Sequence, residues 1–294
     1  MPSAASTSGD RPPESVIVAV KLLREAILSL LRRGGILDVA FIGSASTVYE
    51  WIPSRIVDFD AFIFFDRLDR DAGNEIQRVQ EDVRRRLDVL DVDFELRIIE
   101  GAYKPQRSAL QRPIVLAHLG VFDERLYLNA PVVKRWSWRK YPCEKDVERL
   151  DRLCPRKPTA LDLLREPSGV ADTLNDLRRG TTSMLEWKLP DLHTEELCFD
   201  CESHVFVEFC HGAAATTARH HARLLDRDEA DRLGNDKFFP WYNENVLRTS
   251  SLLPLMELKA QSRNWGFGDV GRSRALTINF LEAVQRRLIE MVGE

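Results

Sequence analysis

Phe41-Ile42-Gly43-Ser44, thirteen intervening residues, then Asp58-Phe59-Asp60-Ala61 is the stretch on which the reading of this chain turns. Val57, Phe59, Ala61, Phe62, Ile63 and Phe64 surround the two aspartates with apolar side chains, so Ile56 to Phe65 reads as a strand buried on both faces. Asp58 and Asp60 are two apart, so on a strand they emerge on the same face, with Cα atoms ~6.5–7 Å apart. Two carboxylates so placed repel one another and lose hydration, at a cost on the order of several kcal/mol per ion when nothing compensates. A divalent cation is the simplest compensation; Mg2+ takes oxygen ligands and keeps substrate phosphates in its shell. Ile36 to Ile42 is a second apolar run, and it ends in Gly43-Ser44. Backbone N–H groups at such a strand-to-helix turn, with the Ser44 hydroxyl, suit an anionic phosphate.

Outward from this stretch, helix and strand alternate as far as Asn129. Val16, Val20, Leu23, Ile27 and Leu30 form one face of a helix from Glu14 to Arg33, stopped by Gly34-Gly35. Ala45 to Trp51 reads as a short helix broken by Pro53, and Asp71 to Leu90 as a longer one striped by Ile76, Val79, Val83 and Leu87. Asp91 to Ile99 alternates: Val92, Phe94, Leu96 and Ile98 face one way, Asp91, Asp93, Glu95 and Arg97 the other. A Gly/Lys/Pro-rich loop then leads to a strand from Ile114 to Phe122. The pattern implies an α/β (α+β) layer with helices packed on a sheet. Beyond Pro131, Leu161–Leu164, Val170–Leu189, Glu195–Leu225, Phe238–Leu258 and Arg272–Met291 are mostly helix-periodic. The expected organisation is a disordered Ser/Ala/Pro/Gly-rich leader over 1–14, an α/β domain over 15–135 and a helical domain over 136–294.

Composition bounds the function classes. The chain has 294 residues, 44% hydrophobic and 30% charged, enough for a sizeable core and against wholesale disorder. No run reaches the ~18 apolar residues of a spanning helix. Five cysteines, an odd number in a chain without secretion features, point to reduced thiols and a cytoplasmic location. Forty-two basic against 46 acidic residues argue against coating nucleic acid by bulk charge, while leaving a local basic groove open.

The Gly-Ser turn followed by acid–hydrophobic–acid resembles the nucleotidyltransferase superfamily typified by DNA polymerase beta and the aminoglycoside nucleotidyltransferases. The resemblance covers Ile42 to about Leu96, a minor part of the chain. It implies a nucleotidyltransferase palm in which Asp58 and Asp60 bind Mg2+ and Gly43 and Ser44 hold a nucleoside triphosphate, with ATP and AMP transfer as the first expectation. The family takes a third acid from a later strand. Asp93, between Val92 and Phe94, fits best as third metal ligand and general base for the acceptor hydroxyl; Glu95 fits nearly as well and shares its face. Arg55, three residues before Asp58, is placed to neutralise phosphate charge. Leu258-Lys259-Ala260, Arg263 and Asp269 resemble a segment of AbiEii-type nucleotidyltransferase toxins, although Asp269-Val270-Gly271-Arg272 lacks that group's second acid. Lys259 and Arg263, four apart on one helix face, are candidates to reach the triphosphate. The acceptor expected is a small hydroxylated molecule such as an antibiotic, with tRNA in a toxin-like role as the alternative. A non-catalytic nucleotide-binding module is the reading from a different class.

Weaker signals have plain structural readings beside them. Cys198, Cys201, His204, Cys210 and His211 read as one helix, which cannot converge four zinc ligands. His220-His221 reads as a helix surface feature. Lys134 to Tyr141 mixes four cations with three aromatics, either a stacking groove for bases or an inter-domain crossover. His118, sharing a strand face with Ile114 and Leu116, reads as a core-edge histidine.

Overall fold

The computed structural model describes residues 13–46, 56–99, 112–154, 156–167, 169–200, 204–227, 229–230, 233–265 and 269–293. Six strands, β1 (Ile36–Ile42), β2 (Ile56–Phe65), β3 (Asp93–Ile99), β4 (Ile114–Phe122), β5 (Thr181–Lys188) and β6 (His193–Asp200), make one mixed sheet. Their spatial order is β1-β2-β4-β3-β5-β6. β2, β4 and β3 run parallel, while β1 pairs antiparallel with β2, β5 with β3, and β6 with β5. Alternation assigns Val57, Phe59, Ala61 and Ile63 of β2, with Val115, Ala117, Leu119 and Val121 of β4, to one buried face. Helices α1 (Glu14–Ser29) and α2 (Arg70–Leu87) cover that face with the Val16/Val20/Leu23/Ile27 and Ile76/Val79/Val83/Leu87 stripes read from the periodicity. Asp69 caps α2 by accepting from the backbone N–H groups of Asp71 and Ala72.

The opposite face is covered only in part. Ala40, Ile42, Phe64 and Phe122 pack there with Tyr127 of α3 (Glu124–Asn129), Trp138 of α4 (Val132–Trp138) and Leu150 of α5 (Arg149–Arg152). Asp38 of β1 is fully buried on this side. It accepts from the backbone N–H groups of Lys145 and Asp146 and from Arg149 Nε, which fastens the 143–149 segment over the sheet edge.

A second core gathers α6 (Ala160–Arg165), α7 (Val170–Arg179), α8 (His204–Leu224), α9 (Asn235–Asn245), α10 (Leu252–Trp265) and α11 (Val270–Gly293). The expectation of a helical domain over 136–294 is corrected in part, because the segment contains two strands. Gly180, at φ +75°, ends α7, and its N–H bonds the Asp176 and Leu177 carbonyls. The chain then runs as β5 and β6, completing the free edge of β3 through the Ile98–Trp187 and Ile99–Glu186 pairs. A strand edge needs backbone partners, and this tertiary demand outweighs the helical pattern around Leu189. The hairpin seats on α2 at Gly73, where any Cβ would fall 1.7 Å from the Pro190 carbonyl oxygen. The 135/136 division likewise falls inside α4, whose Val133 belongs to the helical core and whose Trp138 belongs to the sheet. Among the described residues no helix is long and apolar enough to cross a membrane.

Candidate functional site

Where the sheet's second face loses its aromatic cover, it turns acidic. Asp58 and Asp60 point away from the Val57/Phe59/Ala61 core, as strand parity requires, and Phe62 and Phe64 continue the same face under Trp138 and Tyr127. Antiparallel pairing sets Ile42 opposite Asp60, so the chain leaves β1 beside the acid pair. It does so through Gly43 at φ +59°, opening a 3-10 turn over Gly43–Ser46. A Cβ on Gly43 would stand 3.3 Å from Asp60 Oδ2. Glycine therefore serves twice, for the left-handed backbone and for the close approach to the carboxylate. Arg24 of α1, stacked 3.9 Å over the Phe41 ring, donates to the Ala45 carbonyl and steadies this turn.

On the other side of Asp60 stands His118 of β4, in register with it. The His118 Nδ1 lies 3.2 Å from Asp60 Oδ1. The ring is 8% exposed, and its Nε2 has no hydrogen-bond partner among the described residues. Asp60 keeps 39% of its side chain exposed. Arg97 continues the row on β3 and is tied to Glu95 and to Glu186 of β5. A cleft of about 370 Å3 opens beside this row, lined by Asp60 and His118 at its polar end and by Phe62, Gly120, Phe122 and Trp138 along its walls.

Strand order relocates the expected third acid. β4 lies between β2 and β3, and Asp93 pairs with Ile114, whose partner on β2 is Ile56. Asp93 is therefore two strands away, roughly 10 Å to the side, and one pleat upstream of Asp58. It is exposed, in a depression with Arg84, Asp88 and Arg112. Glu95 shares the row of Asp58, and its carboxylate is taken by Arg97. Neither acid joins the pair, and among the described residues no three His, Cys, Asp or Glu side chains converge as for a metal. The residues that could hold Mg2+ are Asp58 and Asp60, whose carboxylate oxygens are the ligand type this ion takes.

The remaining candidates fall elsewhere. Arg55 and the Ser44 side chain lie outside the described residues. Lys259 is held in the helical half, with Nζ 3.1 Å from Glu208 Oε2 and 3.1 Å from His211 Nδ1 of α8. Arg135, one cation of the basic-aromatic stretch, is 5% exposed and donates to the Ala130 and Leu153 carbonyls, while Trp138 packs on Phe62. That favours the crossover reading over the base-stacking groove. Cys198 sits on β6 and Cys210 on α8, so no single helix carries them; Cys201 lies outside the described residues. Burial pushes the Cys143 and Cys210 thiols up to about 12, the condition of inert core cysteines. His220 and His221 are buried rather than on a helix surface. His118 is the functional candidate that sequence reading undervalued; its position one residue-pair past Leu116 was the signal, but only the register aligns it with Asp60.

No protein-family model, curated protein or solved structure matches the chain. The geometry stands on its own.

Proposed function

We propose that the chain is a Mg2+-dependent nucleotidyltransferase on a DNA polymerase beta-like palm, moving a nucleoside monophosphate from a nucleoside triphosphate to a hydroxyl. One observation carries the reading: the Ile42–Asp60 register lays the positive-φ Gly43 turn directly against Asp60, one of the two paired acids, from more than a dozen residues upstream. The space that a Gly43 side chain would fill is the space a phosphate oxygen needs. Asp58 and Asp60 would hold the cation, and His118 keeps the Asp60 carboxylate oriented. When bound, Mg2+ supplies charge neutralisation for the displacement. The acceptor oxygen bonds the α-phosphorus, the α–β bridging bond breaks, pyrophosphate leaves, and the hydroxyl proton passes to solvent.

The test is equilibrium binding of a nucleoside triphosphate with and without Mg2+, beside pyrophosphate release. Asp58→Asn and Asp60→Asn each remove a like-charge repulsion, so the fold holds. Each variant should lose the Mg2+-dependent part of the affinity and about 100-fold or more of the turnover. Mg2+-dependent affinity at the native level in either variant refutes the assignment.

A further inference from the structure

The two groups that flank Asp60 divide the site. The Gly43 turn approaches from β1, and His118 approaches from β4, both in register with the same carboxylate. An in-line displacement puts the leaving pyrophosphate and the attacking oxygen on opposite sides of the α-phosphorus. With the phosphates at the turn, the attacking oxygen arrives on the His118 side, where the cleft opens. Asp60, as a carboxylate, only accepts hydrogen bonds, so His118 Nδ1 carries the proton of their contact and Nε2 presents a lone pair. That lone pair is buried and has no hydrogen-bond partner among the described residues, on a residue that lines the cleft. A buried acceptor of this kind calls for a donor from a ligand.

The geometry points to His118 as the residue that receives the acceptor hydroxyl, and to the Phe62/Gly120/Phe122/Trp138 cleft as the seat of the acceptor's apolar body. This rests on the nucleotidyl-transfer reading and adds the acceptor class: a small, ring-bearing alcohol. The cleft's ~370 Å3 falls at the small-molecule end of binding-site sizes. Its walls are mostly apolar, and among the described lining residues Lys134 is the only cation, too few for a polyanionic backbone. Gly120 lets the Phe62 and Phe122 rings close over the sheet as the cleft's wall, since a Cβ there would meet them at 2.7 and 2.9 Å.

Benzyl alcohol is the minimal probe, with methanol as the control that has the hydroxyl and no apolar body. Binding to the full chain is followed by ligand-observed NMR. His118→Asn keeps an amide donor where Nδ1 stood and loses the reach of Nε2; His118→Gln places a carbonyl oxygen near the Nε2 position. Benzyl alcohol affinity should fall about tenfold in His118→Asn and stay within about twofold of native in His118→Gln. A merely structural histidine would not rank the variants this way, because Asn is the one that preserves the Asp60 contact. Equal affinity in all three proteins overturns the proposal, as does a loss in His118→Gln, which keeps the test decisive even where the Asn variant does not fold. So does His118-dependent transfer from an α-labelled triphosphate to bulk tRNA. Mg2+–triphosphate affinity, measured separately, tells the two readings apart. His118-dependent alcohol binding without triphosphate binding removes the transfer reading and leaves the small-alcohol cleft. Triphosphate binding with an alcohol response indifferent to His118 removes the cleft assignment alone.

Discussion

Replacing Gly43 by alanine separates backbone strain from damage to the site, because Gly35 provides a matched control. Both glycines sit at positive φ, +59° for Gly43 and +81° for Gly35. An L-residue forced into that region costs about 1–2 kcal/mol, so each alanine variant should lose about that much stability. For a chain of this size that is a fall in melting midpoint of roughly 2–4 °C per kcal/mol or less. The two differ in what the new methyl meets. At Gly35 nothing lies within 4 Å; at Gly43 the Cβ stands 3.3 Å from Asp60 Oδ2, so the carboxylate must give by a few tenths of an ångström. On the proposed function, the methyl also fills the approach for a phosphate oxygen. Gly35→Ala should therefore bind a Mg2+–triphosphate as the native chain does, whereas Gly43→Ala should lose about tenfold or more, a change of ~1.4 kcal/mol. Differential scanning fluorimetry and isothermal titration calorimetry on the three proteins suffice. Equal melting shifts with native Mg2+–triphosphate affinity in Gly43→Ala would refute the placement of the phosphates.

Two further outcomes concern stability. Burial, aided by Arg287, holds the His221 pKa at about 4, against an ordinary value near 6.5, while its Nδ1 meets the Tyr242 hydroxyl at 2.6 Å. The unfolded chain takes up that proton first, so this contribution is complete above pH 6.5 and is lost as pH falls toward 4, by about 2 kcal/mol at pH 5. Urea unfolding at pH 7.5 and 5 should show the drop, and His221→Gln should flatten it; an unchanged pH slope in the variant counts against the assignment. Arg135→Ala should cost about 1–3 kcal/mol, since it removes a buried guanidinium and leaves the partly buried Ala130 and Leu153 carbonyls without their donor. The same variant should leave the salt dependence of ligand binding untouched, and a flattened dependence would restore Arg135 to a nucleic-acid groove.

What was legible in the sequence is what backbone geometry makes local. The stripes of α1 and α2, the parity that puts Asp58 and Asp60 on one face, and the glycine between β1 and its turn all follow from periods of 3.6 and 2 and from the freedom of a residue without Cβ. Each was readable within a few neighbouring residues, and each stands in the structure. Parity could not rank Asp93 against Glu95, because both share a face, and it said nothing of which strand lies beside β2.

Strand order and register were decided by the tertiary structure alone. β4 inserts between β2 and β3, so His118 reaches Asp60 while Asp93 ends two strands away and a pleat upstream. The free edge of β3 recruits β5 from a segment that reads as helical, and Arg135 turns inward to carbonyls from two separate segments. These outcomes depend on which backbone edges and buried polar groups, far apart in the chain, must satisfy one another, a condition that no local pattern encodes.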